Sequence, residues 1–259
     1  MNPILFSFGN IHIYWYSFIL LIAFSLGFFL LLRQAEKEGI SKSIIYDYAC
    51  YLIPIALIGA RIYYVLFEIN YYIQDPLAIF RVWEGGLAIH GGILIGAIFT
   101  YFYTKKKEIP FFKMTDLLVI SLILGQILGR WGNFFNGEAY GPETTYAFLH
   151  SLHLPEFIIK GMFIDGTYYQ PTFLYESLWN IVGLIILLIV KKKSHVQGTT
   201  SALYIINYGI GRFWIESLRQ DSLMMGPIRV AQLVSILMIV IGIGILLYTR
   251  KDRKNEQKI

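Results

Sequence analysis

The most regular feature of the chain is a series of apolar stretches, each about as long as one crossing of a lipid bilayer. A helix that crosses the hydrocarbon core needs ~20 mostly apolar residues. The first and last stretches, residues 13–32 and 230–249, contain no charged residue. The pattern predicts an all-α integral membrane protein with seven transmembrane helices. The five stretches between these two are residues 46–68, 87–104, 115–134, 172–190 and 199–216.

Composition supports this prediction. Hydrophobic residues make up 56% of the 259 residues and charged residues only 15%, which is more apolar surface than a soluble core needs. The first stretch is predicted to be a retained helix rather than a cleaved signal peptide. Positions 1–13 carry no lysine or arginine, whereas a signal peptide begins with a positive region. We expect residues 1–259 to form a single polytopic membrane domain.

Lysine and arginine are distributed unequally between the predicted loops. Cytoplasmic loops carry the positive excess in membrane proteins. Most of the 22 lysine and arginine residues fall in the first, third and fifth loops and in the C-terminal tail. The N-terminus is therefore predicted outside and the C-terminus in the cytoplasm. Contact with an anionic inner leaflet explains the net charge of +5, and no nucleic-acid partner is required. The loops on the other side hold only Arg81, Lys160, Arg219 and Arg229.

Residues 136–171 form the longest predicted loop outside the membrane. Prolines and glycines punctuate it, and its length is unusual for a simple connection between helices. We expect a small extracytoplasmic cap, inserted between the fourth and fifth transmembrane helices.

The single cysteine, Cys50, cannot form an internal disulfide, and its spacing suggests no metal site. Because unpaired cysteines are usually buried, we expect Cys50 in the apolar core.

Ionisable side chains within the predicted helices gather near one side of the membrane. A charge at mid-bilayer costs ~2.5–3.5 kcal/mol, so such groups are usually paired or functional. One interpretation is a set of salt bridges, with Arg61 and Glu68 as the best candidate pair. In the sixth helix, however, the i, i+4, i+7 spacing places Glu216 on one face with Arg212 and Arg219. Guanidinium groups also bind phosphate with two donors, and at this depth the phosphate is that of a phospholipid. The residues on this side are the ionisable Tyr16, Arg61, Glu68, His90, Arg130, Glu176, Arg212 and Glu216, together with the polar Asn133.

Glycines flank His90 in the stretch GGLAIHGG, residues 85–92. Residues without a side chain let another helix or a ligand approach the backbone closely. We therefore expect close packing around His90.

Residues 129–141 read GRWGNFFNGEAYG. This stretch resembles the signature GRxGNFxNxExxG of the bacterial prolipoprotein diacylglyceryl transferases, with every specified position filled. Similar stretches in the first, third, fifth and sixth helices are YWYSF, IHGG, PTFLYE and YGIGRFWIESLRQD, so the resemblance covers nearly the whole chain. One difference is HGGILIG, a residue longer than the family's HGGLIG. The extra residue lies between His90 and Gly96, so it shifts Gly96 relative to the family pattern and leaves His90 aligned with it.

The resemblance implies an enzyme that transfers the diacylglyceryl group of phosphatidylglycerol to the lipobox cysteine thiol of a prolipoprotein. The reaction forms a thioether, releases glycerol phosphate and begins bacterial lipoprotein maturation. It implies neither a metal nor another cofactor. The implied location is the bacterial cytoplasmic membrane, with the active site toward the extracytoplasmic leaflet. The implied partners are phosphatidylglycerol, the prolipoprotein signal peptide and the bilayer.

The resemblance also implies roles for individual residues. Arg130 and Arg212 would stabilise the phosphate leaving group. His90 or Tyr16 would handle the proton of the substrate thiol, which is mostly protonated near neutral pH. Glu216 would hold Arg212 in place. The residues implied in binding the substrate are Arg130, Asn133, Asn136, Glu138, Gly141, Glu216 and Arg219.

Other classes of protein fit less well. An anion transporter needs polar groups through both halves of the membrane, whereas the inner halves of these helices look uninterrupted. A metal-dependent phosphotransferase is expected to show paired acidic ligands, but Asp47, Asp116 and Asp165 are scattered along the chain. A purely structural or chaperone role leaves the signature unexplained.

Overall fold

The computed structural model describes residues 3–9, 11–194, 196–219 and 222–256. It is mostly helical, and each predicted apolar stretch coincides with one long helix. In chain order the helices are α1 (Trp15–Lys37), α2 (Lys42–Phe67), α3 (Ile69–Gln74), α4 (Ile89–Lys106), α5 (Phe111–Asn136), α6 (Tyr146–Ser151), α7 (Glu156–Gly161), α8 (Thr172–Lys193), α9 (Thr199–Leu218) and α10 (Val230–Glu256). The strands are β1 (Ile4–Phe8), β2 (Ile11–Tyr14), β3 (Glu143–Thr144), β4 (Phe163–Ile164), β5 (Thr167–Tyr169), β6 (Met224–Met225) and β7 (Ile228–Arg229).

Five of these helices are long and apolar enough to cross a membrane, namely α1, α2, α5, α8 and, over Val230–Lys251, α10. They support an integral membrane protein of the all-α class. Length and composition do not mark α4 and α9 in the same way. α4 has 18 residues and ends on two lysines, and α9 carries Arg212 and Glu216.

Residues 32–114 form one compact unit, in which α2 packs against α4. The two helices approach closely through glycines. A Cβ atom added to Gly91 would collide with the carbonyl oxygen of Gly59, and one added to Gly59 would lie 2.6 Å from Cβ of Ile95. Further along, the hydroxyl groups of Tyr48 and Thr100 lie 2.7 Å apart. The predicted close packing beside His90 is confirmed, and the partner is a helix.

Residues 1–31 and 115–259 form the second unit. Here α9 packs against both α8 and α10. Glycines again set the distance, since a Cβ atom on Gly209 of α9 would lie 2.8 Å from the carbonyl oxygen of Ser235 in α10. On α10, a Cβ atom on Gly242 would lie 2.9 Å from the carbonyl oxygen of Ala202.

Between α5 and α8 the chain forms a small folded region with its own core. Strands β3, β5 and β4 make an antiparallel sheet in that order, accompanied by α6 and α7. Phe134 of α5 and Phe173 of α8 belong to the same core, and their rings stack with centroids 4.5 Å apart. This region is thus joined to the ends of two long helices by packing as well as by the chain. The buried residues of this core are Phe134, Leu149, Ile158, Ile159, Met162 and Phe173.

Two short hairpins were missed by the sequence pattern. Strands β1 and β2 pair with Ile4 opposite Tyr14, so α1 begins at Trp15 rather than at Ile13. Strands β6 and β7 pair before α10. Alternating β-branched and aromatic residues favour strands. In a short apolar run, however, periodicity alone does not separate a strand from the first turn of a helix.

The prediction that Cys50 lies in the core is wrong, because its side chain is exposed on α2. The rule that unpaired cysteines are buried comes from proteins in water, where an apolar side chain must face the interior. On a membrane-spanning helix, the exposed surface faces lipid and accepts the same side chain.

Candidate active site

The signature residues build the C-terminal end of α5. The helix ends at Asn136, and Gly137 adopts a φ of +66°, the left-handed conformation that commonly ends helices. The amide of Glu138 donates to the carbonyl oxygen of Asn133 at 2.9 Å, which closes the final turn. This reversal brings the Glu138 carboxylate back to the helix end, where it accepts a hydrogen bond from the Asn136 side-chain amide at 3.1 Å.

Tyr16, in the first turn of α1, lies against the same helix. A Cβ atom added to Gly132 would lie 2.7 Å from Cδ2 of the Tyr16 ring, so the signature glycine provides room for the tyrosine. Beside it, the rings of Trp15 and Phe135 stack at 4.7 Å. The structure therefore brings Tyr16 against α5 at Gly132 of the signature.

Four charged side chains from α5, α8 and α9 form a connected network. Arg130 Nη2 lies 2.7 Å from Glu176 Oε1, and Arg212 Nη1 lies 3.8 Å from Glu176 Oε2. Within α9, Arg212 Nη2 lies 2.5 Å from Glu216 Oε2. Arg130 also donates through Nη1 to the Asn133 side-chain oxygen at 3.3 Å. One carboxylate, Glu176, thus holds two arginines from different helices.

The network is largely shielded from solvent. The side chains of Arg130 and Arg212 are 20% and 18% exposed, whereas those of Glu176 and Glu216 are 6% and 2% exposed. Buried ions are stable only when their charges are paired. The two carboxylates therefore lie deeper, and the two guanidinium groups present the accessible side of the cluster. At Glu216 Oε2 the contact is an ion pair without hydrogen-bond alignment.

Arg229, in β7, lies beside this network and was not predicted from the sequence. Its guanidinium donates to the backbone carbonyl of Glu216, near the C-terminal end of α9, where a cation is favoured by the helix dipole. It reaches Glu216 through the missed β6–β7 hairpin, so no helical spacing could have indicated it. Arg229 and Arg219 line a cleft of about 380 Å³ that also includes Pro142.

Gly141 has a packing reason for its identity. Its amide donates to the carbonyl oxygen of Gln170 at 2.9 Å, and a Cβ atom there would lie 2.9 Å from Cγ2 of Thr172. Thr172 in turn donates to the carbonyl oxygen of Ala139 at 2.5 Å. Gly141 therefore fixes the start of α8, one turn before Glu176.

His90 lies in the other unit, residues 32–114, in the first turn of α4. Its ring centroid is 6.3 Å from that of Tyr63 on α2. Gly91 and Gly92, next to it, contact the α2 backbone at Gly59 and Ala56.

The predicted pair of Arg61 with Glu68 is wrong. In the described part of the chain, Arg61 forms no ion pair with Glu68. Its guanidinium instead donates to backbone carbonyl oxygens of the segment before α4. The reason is geometric: this segment turns back over α2 and places its carbonyl groups around the guanidinium. The acceptors are the carbonyl oxygens of Ala78, Ile79, Arg81, Gly85 and Gly86.

Polar side chains also occur near the opposite ends of the long helices, where the sequence suggested an uninterrupted apolar surface. Asp116, near the start of α5, accepts hydrogen bonds at 2.7 Å from the backbone amides of Gly198 and Ser201. It also accepts one from the Ser201 hydroxyl. A carboxylate on one helix thus caps the N-terminus of another, α9. Asp116 and Ser201 therefore have a structural reason to be polar, because they bond to each other.

Comparison with known proteins matches nearly the whole chain to one family. A family model described as prolipoprotein diacylglyceryl transferase matches residues 3–248. Three similar proteins are each named phosphatidylglycerol–prolipoprotein diacylglyceryl transferase. The one from Bacillus cytotoxicus is 49% identical over 251 residues, covering 96% of this chain and 93% of its own. The one from Listeria innocua is 48% identical over 251 residues, covering 96% and 90%. The one from Bacillus velezensis is 47% identical over 252 residues, covering 96% and 93%.

Proposed function

The chain belongs to the prolipoprotein diacylglyceryl transferase family, and on that premise we propose that it transfers the diacylglyceryl group of phosphatidylglycerol to a prolipoprotein cysteine. The substrate cysteine lies in the lipobox of the signal peptide. The transfer is the first step of lipoprotein maturation.

The reaction is a displacement at a glyceryl carbon. The cysteine sulfur attacks the carbon that carries the phosphate ester, a C–S bond forms, and the C–O bond breaks. The electron pair of that bond leaves with glycerol phosphate, and the thiol proton passes to a base. The protein must therefore stabilise charge on the leaving phosphate and remove a proton from the thiol.

Arg130 and Arg212 stabilise the leaving group in this proposal. The observation that carries it is the convergence of both guanidinium groups on Glu176, at 2.7 and 3.8 Å. A carboxylate shared in this way orients two cations before the substrate arrives, and preorganised donors need no rearrangement as charge develops. Glu216 holds Arg212 from the other side and leaves the accessible faces of the guanidinium groups toward the phosphate.

Tyr16 and His90 are the two candidates for proton transfer. Tyr16 packs on Gly132 of the signature in α5, the helix that also carries Arg130. His90 carries an imidazole, the side chain most often used for general acid–base catalysis. Loss of turnover in Tyr16→Phe with retention in His90→Gln would assign the proton to the tyrosine, and the reverse would assign it to the histidine.

The remaining site residues contact or organise the phospholipid headgroup in this proposal. Asn133 and Asn136 offer amide groups at the end of α5, and Glu138 folds back beside Asn136. Gly141 fixes the start of α8. Arg219 adds positive potential at the cleft that it shares with Arg229.

The proposal includes a topology. Seven helices cross the bacterial cytoplasmic membrane, the five apolar ones together with α4 and α9, with the N-terminus outside and the C-terminus in the cytoplasm. The folded region of residues 136–171 then forms an extracytoplasmic cap, and the arginine pair faces the outer leaflet. The lysines at the ends of α4 and α8 support this orientation, since positive residues favour the cytoplasmic side.

The function is tested by incubating the purified protein in detergent with phosphatidylglycerol and a synthetic lipobox peptide. Mass spectrometry should detect the peptide with one added diacylglyceryl group. A peptide whose cysteine is replaced by serine is the matched control and should gain no such mass. An unmodified cysteine peptide, under conditions where another family member works, would refute the proposal.

A further inference from the structure

A buried arginine without a carboxylate partner is unusual within a membrane helix, and Arg61 on α2 is one among the described residues. It is 7% exposed. A guanidinium carries five N–H donors, and here the nitrogens contact five carbonyl oxygens. Nε donates to Ile79 at 2.9 Å, and Nη1 to Gly85 and Gly86 at 2.7 and 2.9 Å. Nη2 donates to Ala78 at 2.5 Å and, more weakly, to Arg81 at 3.5 Å.

This arrangement excludes both phosphate binding and an ion pair as the role of Arg61. The hydrogen-bonding capacity of the guanidinium is used by backbone carbonyls, so no fork of donors remains for a phosphate. The charge is balanced by carbonyl dipoles and by the ring of Tyr72, whose centroid lies 5.2 Å from the guanidinium carbon. Arg61 therefore acts on the segment that surrounds it.

Apart from its contacts with α2, the segment of residues 78–86 is largely exposed. Its large apolar side chains point away from the protein: Phe80 is 73% exposed and Trp83 is 77% exposed. Ala78 and Ile79, at the start of the segment, are the exceptions: Ala78 is buried with Val65 and Tyr72, and Ile79 packs against that cluster. Beyond Ile79, the segment is attached to α2 mainly through the carbonyl groups of Gly85 and Gly86, which accept hydrogen bonds from Arg61.

The glycines of the segment are fitted to the guanidinium. Gly85 and Gly86 both have positive φ, +94° and +73°, which turns their carbonyl groups toward Arg61. A Cβ atom on Gly86 would collide with Nη1 of Arg61, whereas one on Gly85 would meet no atom within 4 Å. Gly86 alone therefore depends on the absence of a side chain for the approach of Arg61.

The segment leads directly into the turn that carries His90. The amide of Ala88 donates to the carbonyl oxygen of Ala60 at 3.0 Å, next to Arg61 in α2. Gly91 then lies against Gly59. Gly86, Ala88 and Gly91 each contact α2, so the chain from Gly86 to His90 is held against that helix.

We propose that Arg61 is a positioning residue, which fixes residues 78–86 and thereby the place of His90 in the first turn of α4. The role rests on the proposed function, in which His90 is a candidate for handling the substrate thiol proton. It adds a residue that touches neither substrate, since Arg61 acts only through the backbone of the segment.

The test compares Arg61→Lys with Arg81→Lys. Lysine keeps the charge but cannot reach five carbonyl groups. Arg81 lies in the same segment and pairs with Asp75 and Glu84 at the surface. We expect Arg61→Lys to lower kcat on the order of 10²-fold, as a small misplacement of a reacting group does, while KM for phosphatidylglycerol stays at the wild-type value. Arg81→Lys should retain wild-type kcat.

Hydrogen exchange of the same purified variants tests the placement without any assay of activity. Amides of residues 78–92 should exchange faster in Arg61→Lys, and those of residues 115–219 should not change. Wild-type kcat in Arg61→Lys overturns the proposal, as does unchanged exchange in residues 78–92. If Arg61→Lys lowers kcat, raises KM and lowers the melting temperature together, the role of Arg61 is merely structural, and this outcome also overturns the proposal.

A second pair of variants decides the question if Arg61→Lys does not fold. Alanine is strained at both positions because both glycines have positive φ, but only Gly86→Ala displaces the guanidinium. We expect Gly86→Ala to lower kcat well below that of Gly85→Ala. Equal activity of the two would overturn the proposal. If the wild-type protein transfers no diacylglyceryl group, the proposed function fails, and hydrogen exchange still decides whether Arg61 holds the segment.

Discussion

At the scale of single residues, the arginine pair depends on a glutamate that the sequence does not single out. Arg130 and Arg212 could be predicted as site residues because the family resemblance covers them and because a charge within an apolar helix is costly. Glu176 was one ionisable residue among several. Its importance arises because α5, α8 and α9 bring both arginines to its two oxygens, and pairing between three helices cannot be calculated from spacing along one of them. Arg229 was out of reach for the same reason.

Arg130→Lys is expected to be far from conservative. The guanidinium contacts Glu176 through Nη2 and Asn133 through Nη1, and a lysine offers one charged atom that cannot make both contacts. We expect turnover to fall on the order of 10²-fold or more, as for the loss of one preorganised donor. Turnover of Arg130→Lys and Arg130→Gln is measured together with melting temperature. Near-normal turnover in the lysine variant would refute a role that needs two guanidinium donors. Equal loss of folding in both variants would favour a purely structural salt bridge.

Cys50→Ala is expected to keep most of the activity. The reacting sulfur in the proposed mechanism belongs to the substrate, and Cys50 lies exposed on the surface of α2. Replacing it there removes no packed core atoms. Turnover of the folded variant is the measurement, and its complete loss would require a covalent intermediate on the protein.

At the scale of elements, α5 organises the site. It carries Arg130 and Asn133, its last turn positions Glu138, and Phe134 anchors it in the core of the adjoining folded region. Hydropathy predicted this helix and the others to within a few residues, because the need for ~20 apolar residues is set by the bilayer. The short elements were not predictable in the same way. The hairpins β1–β2 and β6–β7 and the carbonyl shell around Arg61 depend on contacts between segments rather than on local periodicity.

Gly132→Ala tests whether the signature glycine is needed for space. Its Cβ would lie 2.7 Å from the Tyr16 ring, whereas a Cβ on Gly125, on the same face of α5, would meet no atom within 4 Å. Gly132→Ala should displace Tyr16 and lower turnover. Gly125→Ala should be neutral or stabilise the helix by up to ~1 kcal/mol, since alanine favours helices over glycine. Equal turnover and equal melting temperature in both variants would contradict the packing of Tyr16 on Gly132.

At the scale of the whole molecule, the proposed orientation places the arginine pair at the outer leaflet and the lysine-rich helix ends in the cytoplasm. Single reporter cysteines in a Cys50→Ala background test it. A cysteine replacing Lys160, whose side chain is 75% exposed, should react with an impermeant thiol reagent added to intact cells. A cysteine replacing Lys192 should react only after the membrane is opened. The opposite labelling would invert the topology.

The central claim is that this chain itself couples formation of the thioether to release of glycerol phosphate. A time course with purified protein, phosphatidylglycerol and lipobox peptide measures both products in one reaction. We expect the diacylglyceryl peptide and glycerol phosphate to appear in equal amounts at every time, and both to be severely reduced in Arg130→Gln. Glycerol phosphate without peptide adduct, or formation of both products at the wild-type rate in Arg130→Gln, would contradict the account.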